Sequence, residues 1–500
     1  MTGFLDLPSE IIAHVFTCLD RSSLYNGRAA CKDIRGATFS LFGRRHFQKR
    51  GYLLCDHSLR VLENIASHPQ LRVYPRHVWF NPDLYTFIQP HYVEQQEDGD
   101  FGGQETIGTS HHDMRLHTFR RVVAEHKQLL HSDALTVRLA AIFSKLSNLK
   151  VVGMRRSTGY SACGWQRLEI IIGIDPRILG PVPEGPPDAL SGPTMLYVAI
   201  LNAARSSRLK LQRLYTDAVE LDCVNHLTLP NDSPSYVCEK LRWLEVNLVK
   251  GHLTTKTHAE HTVSDEQQLW GQGLETILSA SHRSLHGLDL MVFPDRAQSH
   301  MLPPRWNQVE SWRRSYPYVV LQRIAKTIQL TSLRRLKLEK LTTSSETLLQ
   351  LLRPCQQSLQ SLKIRDVRLL TGTDTEGNQE ARPWGTVFAF LAASCPSLSF
   401  VLFHLLRHGS GGVTFERNDP DTESKDAPEP DGAIPVAVYG GPAGGEVFTS
   451  FDHITLQIQG LQEVKQRLDK IVETHFYGGS VFSYAMDEDL WHTDTSNAED

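Results

Sequence analysis

The chain has 500 residues, 40% of them hydrophobic and 22% charged, with a formal net charge of -4. That length supports a small domain plus a large one with ample core, and the acidic balance argues against nucleic acid as a partner. The eight cysteines form no CxxC pair, the first residues do not read as a signal peptide, and no apolar run approaches the roughly 18 residues of a spanning helix. The expectation is a reducing compartment, cytoplasmic or nuclear, with no membrane partner.

Residues 5 to 42, LDLPSEIIAHVFTCLDRSSLYNGRAACKDIRGATFSLF, place short amphipathic helices in close succession. Pro8 suits a first helical turn and Glu10 favours the dipole there. Ile11, Ile12, Val15, Phe16 and Leu19 recur at helical spacing as one wide apolar stripe. Asp20, Ser22 and Ser23 break that helix and cap the next, which runs through Leu24, Ala29 and Ala30. Ile34, Thr38, Leu41 and Phe42 lie at i, i+4, i+7 and i+8 of a third helix. Cys18 and Cys31 read as small apolar packing residues.

The order Leu7-Pro8-x-Glu10-Ile11-Ile12, Leu19, Leu24, Cys31-Lys32-x-Ile34-Arg35 and Leu41-Phe42 resembles the F-box, the module by which substrate receptors attach to the Skp adaptor of Skp-cullin-F-box ubiquitin ligases. The resemblance implies adaptor contacts on Leu7, Pro8, Ile11, Ile12, Phe16, Leu19, Leu24, Ala30, Cys31 and Leu41. Spacing does not sort those that face the adaptor from those that face the module's own core. Gly27 and Gly36 depart from the pattern and cost roughly 1 kcal/mol each inside a helix relative to Ala. Ala30 departs too, standing where a larger valine is common. The basic run Arg44, Arg45, Lys49 and Arg50 reads as a solvated helix end leading into the next domain.

Downstream, a helix-period segment leads repeatedly into L-x-x-L-x-L, whose alternate apolar residues point one way from a strand. The copies start at Leu146, Leu241, Leu285, Leu333, Leu359 and Leu398, with a weaker one at Leu211. Helices are expected over 135 to 146, 265 to 281, 317 to 329, 345 to 353 and 385 to 394, and the alternation implies a parallel sheet. The pattern is similar to a leucine-rich repeat array, although the steps between residues 244, 288, 336, 362 and 401 are 44, 48, 26 and 39. The expected class is α+β/α/β: a helical F-box over 1 to 50, then an irregular leucine-rich-repeat-like α/β domain over 51 to 406. A closed α/β domain is the alternative. Leu244, Leu288, Leu336 and Leu362 are expected inside, and Arg334, Arg335, Lys337 and Glu339 outside.

Stretches 91 to 113 and 173 to 194 lack periodicity and read as loops. A disordered, acidic Gly/Pro-rich loop is expected over 407 to 446, where residues 416 to 431 carry seven acids and two bases. A closing strand and helix follow over 447 to 486, and then an acidic tail over 487 to 500.

Searches for catalytic chemistry find no site. GGPAGGE at 440 to 446 lacks the Lys and Ser/Thr of a phosphate loop, and His258-Ala-Glu-His261 misses the i, i+4 spacing of zinc peptidases. The histidines at 111, 112, 117, 126 and 131 have no completing Cys or carboxylate, and Gly159-Tyr-Ser161-Ala-Cys163 lacks the second glycine of a nucleophile elbow. The expectation is a receptor subunit without catalytic residues, cofactor or metal, holding the Skp adaptor, through it a cullin, and a target protein for ubiquitin-dependent degradation. An adaptor-binding scaffold with no role in degradation would use the same residues.

Overall fold

The computed structural model describes residues 4–81, 121, 124–126, 128–130, 132–155, 162–164, 166–167, 170, 192–216, 219–220, 234–249, 272–293, 321–370, 383–408, 411–414, 455–474 and 476–480. The loop expected at 91–113, the segments 258–261 and 440–446, and the tail from 487 lie outside these residues. The protein belongs to the α/β class, combining helices with a large, mostly parallel sheet. Its chain divides into two compact units, Met1–Lys337 and Leu338–Asp500, so the expected edges at 50 and 406 both fall inside a unit.

In the first unit, four helices, α1 (Ser9–Thr17), α2 (Arg21–Ala30), α3 (Lys32–Ala37) and α4 (Phe39–Phe47), lead straight into strand β1 (Lys49–Leu53). The third helix expected from spacing is two, broken at Thr38, whose hydroxyl donates to the Ile34 carbonyl. Lys49 and Arg50, read as a helix end, belong to β1. Helix α5 (Asp56–Ser67) and strands β2 (His77–Asn81), β3 (Val151–Met154), β4 (Arg213–Tyr215), β5 (Val219–Glu220), β6 (Trp243–Val249) and β7 (Gly287–Phe293) follow, with helices between them. Strands β1, β2, β3, β4, β6 and β7 are neighbours in that order, every pair parallel.

The register puts apolar residues side by side. Val78, Val152, Leu214, Leu244 and Leu288 are successive partners, and Val246 and Leu248 face Leu290 and Val292. All nine are 3% exposed or less. Fully burying each such side chain stabilises by about 1.5–3 kcal/mol. Helices cover this face: α5 packs on Asp133–Phe143, which packs on Gly192–Ser206, while Pro234–Cys238 packs on Gln272–Ser281. The helix from Gly192 begins inside the loop expected over 173 to 194.

On the opposite face, glycines alternate with aromatic residues across the strands. Gly51 pairs with Trp79, Gly153 lies between Trp79 and Tyr215, and Trp243 pairs with Gly287. A Cβ added to Gly51, Gly153 or Gly287 would overlap the ring of Trp79, Tyr215 or Trp243 respectively, so each ring lies where a neighbouring side chain would stand. The guanidinium of Arg213 sits over the rings of Tyr215 and Trp243, and that of Arg335 over Trp243. His77 shares a 2.7 Å hydrogen bond with the Tyr215 hydroxyl beneath this layer.

Strand β8 (Arg335–Glu339) contains the point that divides the units. In the second unit, β9 (Thr342–Thr343), β10 (Ser361–Arg365), β11 (Arg368–Leu369), β12 (Phe400–His404), β13 (Arg407–His408), β14 (Gly411–Thr414), β15 (Thr455–Gln459) and β16 (Phe476–Ser480) build two layers of pairing. Strands β10 and β12 are parallel, with Leu362 opposite Val401, and β15 closes this edge antiparallel, placing Ile458 against Val401. The helices Ser345–Leu352, Pro383–Ser394 and Leu461–Thr474 pack in that order.

One bend recurs. Lys340, Asp366 and Leu405 each directly follow a strand and take φ of 56°, 48° and 52°, a conformation costing an L-residue roughly 1–2 kcal/mol. Two backbone bonds hold it: the Lys340 N–H donates to the Arg365 carbonyl at 2.9 Å and the Asp366 N–H to the His404 carbonyl at 2.8 Å. Past the bend, β9, β11 and β13 form a second parallel ladder, continued antiparallel by β14 and β16. Two segments of the break expected at 407 to 446 are therefore strands, and residues 415–446 lie outside those described. Arg407 pairs with Asp366 at 3.1 Å and Arg365 with Glu339 at 3.9 Å. Glu339, expected outside the core, is buried beside this bend at 8% exposure, whereas Arg334 and Arg335 are exposed.

Leu362 and Lys363 are adjacent in β10, one fully buried and one exposed. Urea unfolding should show Leu362→Ala losing about 2–5 kcal/mol through lost transfer energy and the residual cavity, and Lys363→Ala losing under about 1 kcal/mol. Equal losses would remove the inward orientation of Leu362.

Burial, with Lys49, Arg213 and Arg155 nearby, pushes the His77 imidazole down to about 3. The unfolded state takes up this proton near pH 6.5 and the folded state resists it until about pH 3, so stability falls as pH drops through that window. The slope approaches about 1.4 kcal/mol per pH unit. His77→Gln, which keeps a hydrogen-bonding group near Tyr215 without titrating, should flatten the loss in urea titrations between pH 6 and 4.

Candidate functional site: an exposed apolar stripe on the N-terminal helices

Helix α1 begins after Pro8, whose extended backbone (φ -52°, ψ 145°) starts the turn without a side-chain cap. Helix α2 is capped instead by Asp20, which accepts from the Ser23 N–H at 2.6 Å and the Ser22 hydroxyl at 3.0 Å. The Ser23 backbone bond, with the side-chain bonds to Ser23 and Ser22, holds the Asp20 carboxyl below its ordinary value.

Arg28 ties the helices together. Its buried guanidinium donates from Nη1 to the Arg35 carbonyl at 2.9 Å and the Thr38 hydroxyl at 3.0 Å, and lies 4.1 Å over the Phe42 ring. From α4, Arg45 donates to the Leu19 carbonyl at 2.8 Å and also to the Thr17 carbonyl, closing the C-terminal end of α1.

The ten candidate residues separate by exposure. Ile12, Phe16, Leu24 and Leu41 form the module's own core, 8% exposed or less. Leu19 packs against that core and Cys31 is half-buried. Leu7, Pro8, Ile11 and Ala30 are exposed. Cys18, expected to pack, is exposed as well.

Phe4, Leu5, Val15 and Tyr25 are large exposed apolar residues absent from the sequence-based set. Leu7, Ile11 and Val15, at i, i+4 and i+8, are 39%, 47% and 40% exposed and make one stripe along α1 and its approach. The opposite stripe, Ile12 and Phe16, fills the core. Helix α1 thus carries apolar residues on two sides, of which only the Ile12 and Phe16 side meets the module's own core.

Gly27 and Gly36 have different reasons. A Cβ on Gly27 would strike the Phe16 ring, whereas one on Gly36 meets nothing within 4 Å. The ring of Phe16 can enter the core only because α2 offers it a glycine.

Of the other motifs singled out in sequence, only His126 and Cys163 are among the described residues; His111, His112, His117, His131 and residues 159–161 lie outside them. His126 is buried with Nδ1 2.7 Å from the Leu54 carbonyl. Cys163 bridges β1 through the bond from its N–H to the Gly51 carbonyl at 2.8 Å. Among the described residues, no group of three or more His, Cys, Asp or Glu is placed to hold a metal, and no helix is long and apolar enough to cross a membrane. Burial pushes the thiols of Cys238 and Cys355 up to about 12, away from the reactive thiolate. Neither a family model nor a curated relative matches the chain.

Thermal or urea unfolding of single variants checks the glycine assignment. Gly27→Ala should destabilise by about 1–3 kcal/mol through overpacking, and Gly36→Ala should stabilise by about 0.4–1 kcal/mol. The same sign at both positions would remove the role assigned to the Phe16 contact.

Proposed function

We propose that the chain is an F-box substrate receptor of a Skp-cullin-F-box ubiquitin ligase: the N-terminal helices hold the Skp adaptor, and the helix-strand array holds a target protein. One observation carries the reading. The residues that match the F-box order close a small core with Ile12, Phe16, Leu24 and Leu41, and leave Leu7, Ile11 and Val15 in solvent on an unpartnered helix face. Truncating a centrally placed apolar anchor costs an interface on the order of 2 kcal/mol or more.

The array is read as an irregular leucine-rich repeat, supported by the in-register ladder of Leu214, Leu244 and Leu288 and by the helix that precedes each strand. The ladder position that regular repeats fill with Asn or Cys is taken by Leu341, Val367 and Leu406, all buried. On this reading the chain supplies no catalytic group. It raises the rate of ubiquitin transfer by proximity, holding a target lysine near the charged carrier so that the encounter becomes nearly intramolecular. It works in the cytoplasm or nucleus, where the ligase assembles.

The test is capture of purified Skp adaptor by the full-length chain, with cullin added to the captured complex. Leu7→Ala with Ile11→Ala should weaken capture about thirtyfold or more with an unchanged melting temperature, since both residues are exposed. Undiminished capture by the double variant removes the F-box assignment. Adaptor capture without cullin favours a scaffold outside degradation.

A further inference from the structure

In the first unit, the strand starts of β2, β3, β4, β6, β7 and β8 follow helix-to-strand turns that are basic out of proportion to the chain. Segments 68–76, 144–150, 207–212, 239–242, 282–286 and 329–334 together hold ten lysines and arginines and one acid, Glu239, in a chain with 52 bases and 56 acids. Glu239 is already paired with Lys210 at 3.1 Å. Helix C-termini favour cations through the dipole, which accounts for some of this. It does not account for the excess, because the corresponding turns of the second unit, 353–360 and 395–399, carry Arg353 and no other Lys or Arg.

The backbone fixes where these charges stand. The carbonyls of Arg76, Lys150, Gln212, Arg242 and His286 each accept two N–H groups from the start of the next strand, at 2.7 to 3.2 Å. Arg76, Lys150, Gln212, Arg242, His286 and Arg334 are therefore one row across the strand starts. Adjacent strands are about 4.8 Å apart, so the row runs about 24 Å. Arg76, Lys150, Arg242 and Arg334 are exposed, and among the described residues no carboxylate pairs with them. His286 reports the local field: burial, then Arg334 and Arg242, hold its imidazole below the ordinary value. Cations in a row without counter-charges repel one another, a cost that an anionic partner removes.

We infer that this row is a docking surface for an extended acidic segment of a partner protein, about seven residues long at roughly 3.3 Å per residue. Two observations favour a polypeptide over a nucleic acid. The aromatic rings nearest the row, Trp79, Tyr215 and Trp243, lie over sheet glycines rather than standing out as a platform for bases. The chain as a whole is acidic and repels a polyanion at long range, while a short acidic peptide meets only the local row. That the segment belongs to a ubiquitylation target rests on the receptor reading; the charge row does not.

Fluorescence anisotropy on the full-length chain, with a fluorescein-labelled oligoglutamate peptide as probe, decides it. Binding should be measurable at low salt and weaken as salt rises. Arg242→Glu with Arg334→Glu should weaken it at least about tenfold. Arg353→Glu with Lys465→Glu, the same charge change at exposed positions of the second unit, should change it less than about twofold. No binding by the unaltered chain, equal loss in both double variants, or tighter binding of an oligothymidylate of matching charge would overturn the inference. Adaptor capture by the Arg242→Glu/Arg334→Glu variant should be undiminished. Failure to capture adaptor strikes the receptor reading and leaves the peptide result standing.

Discussion

Everything in the first unit hangs on one backbone arrangement, the carbonyl at each strand start that accepts two successive N–H groups from the next strand. The paired bonds leave no freedom for a one-residue slip, and a slip would turn every inward leucine to the opposite face. Backbone bonds and leucine pattern agree on one register, with Leu214, Leu244 and Leu288 stacked two residues beyond Gln212, Arg242 and His286. The same bonds line up the basic residues, so the core and the charged edge have a common cause.

The second unit solves a different problem. Its strands end in a left-handed residue, and the chain turns a corner into a second ladder instead of passing directly to a helix. The corner buries polar side chains, and it does so with partners: Asp366 with Arg407, Glu339 with Arg365, and the Trp384 indole N–H with the Arg407 carbonyl at 2.9 Å. Burial there acts on His404 as well, whose imidazole is pushed down despite the neighbouring Asp366 and Glu339. Specific partners make the bend a defined geometry rather than a loop.

The leucine pattern made seven of the sixteen described strands legible, β3, β4, β6, β7, β8, β10 and β12, because L-x-x-L-x-L carries its own alternation, and even the weak copy at Leu211 becomes β4. Strands β1 and β2 were not legible. HVWFN is buried at every position, so it shows no alternation to detect, and KRGYL opens with charges that lie at the exposed end of the strand. Two-residue strands such as β9 and β11 have no sequence period at all. At the N-terminal helices the order of residues was readable, but Ile11 and Ile12 are adjacent, equally apolar and oppositely placed. Only the position of α2 and α4 against α1 decides between them. Glu339 defeated a surface reading because the αL bend one residue later, not the strand period, sets its environment.

The rings laid over glycines couple neighbouring strands in pairs, Trp79 with Gly51, Tyr215 with Gly153 and Trp243 with Gly287. Each strand's bare position is thus complementary to a bulky one next door, like a tongue and its slot. A unit copied, deleted or exchanged on its own would set ring against ring or leave a slot empty. Growth of the array by internal duplication must then move matched pairs together, and chimeras joined between such a pair should inherit a mismatch at the seam that their leucine pattern does not reveal.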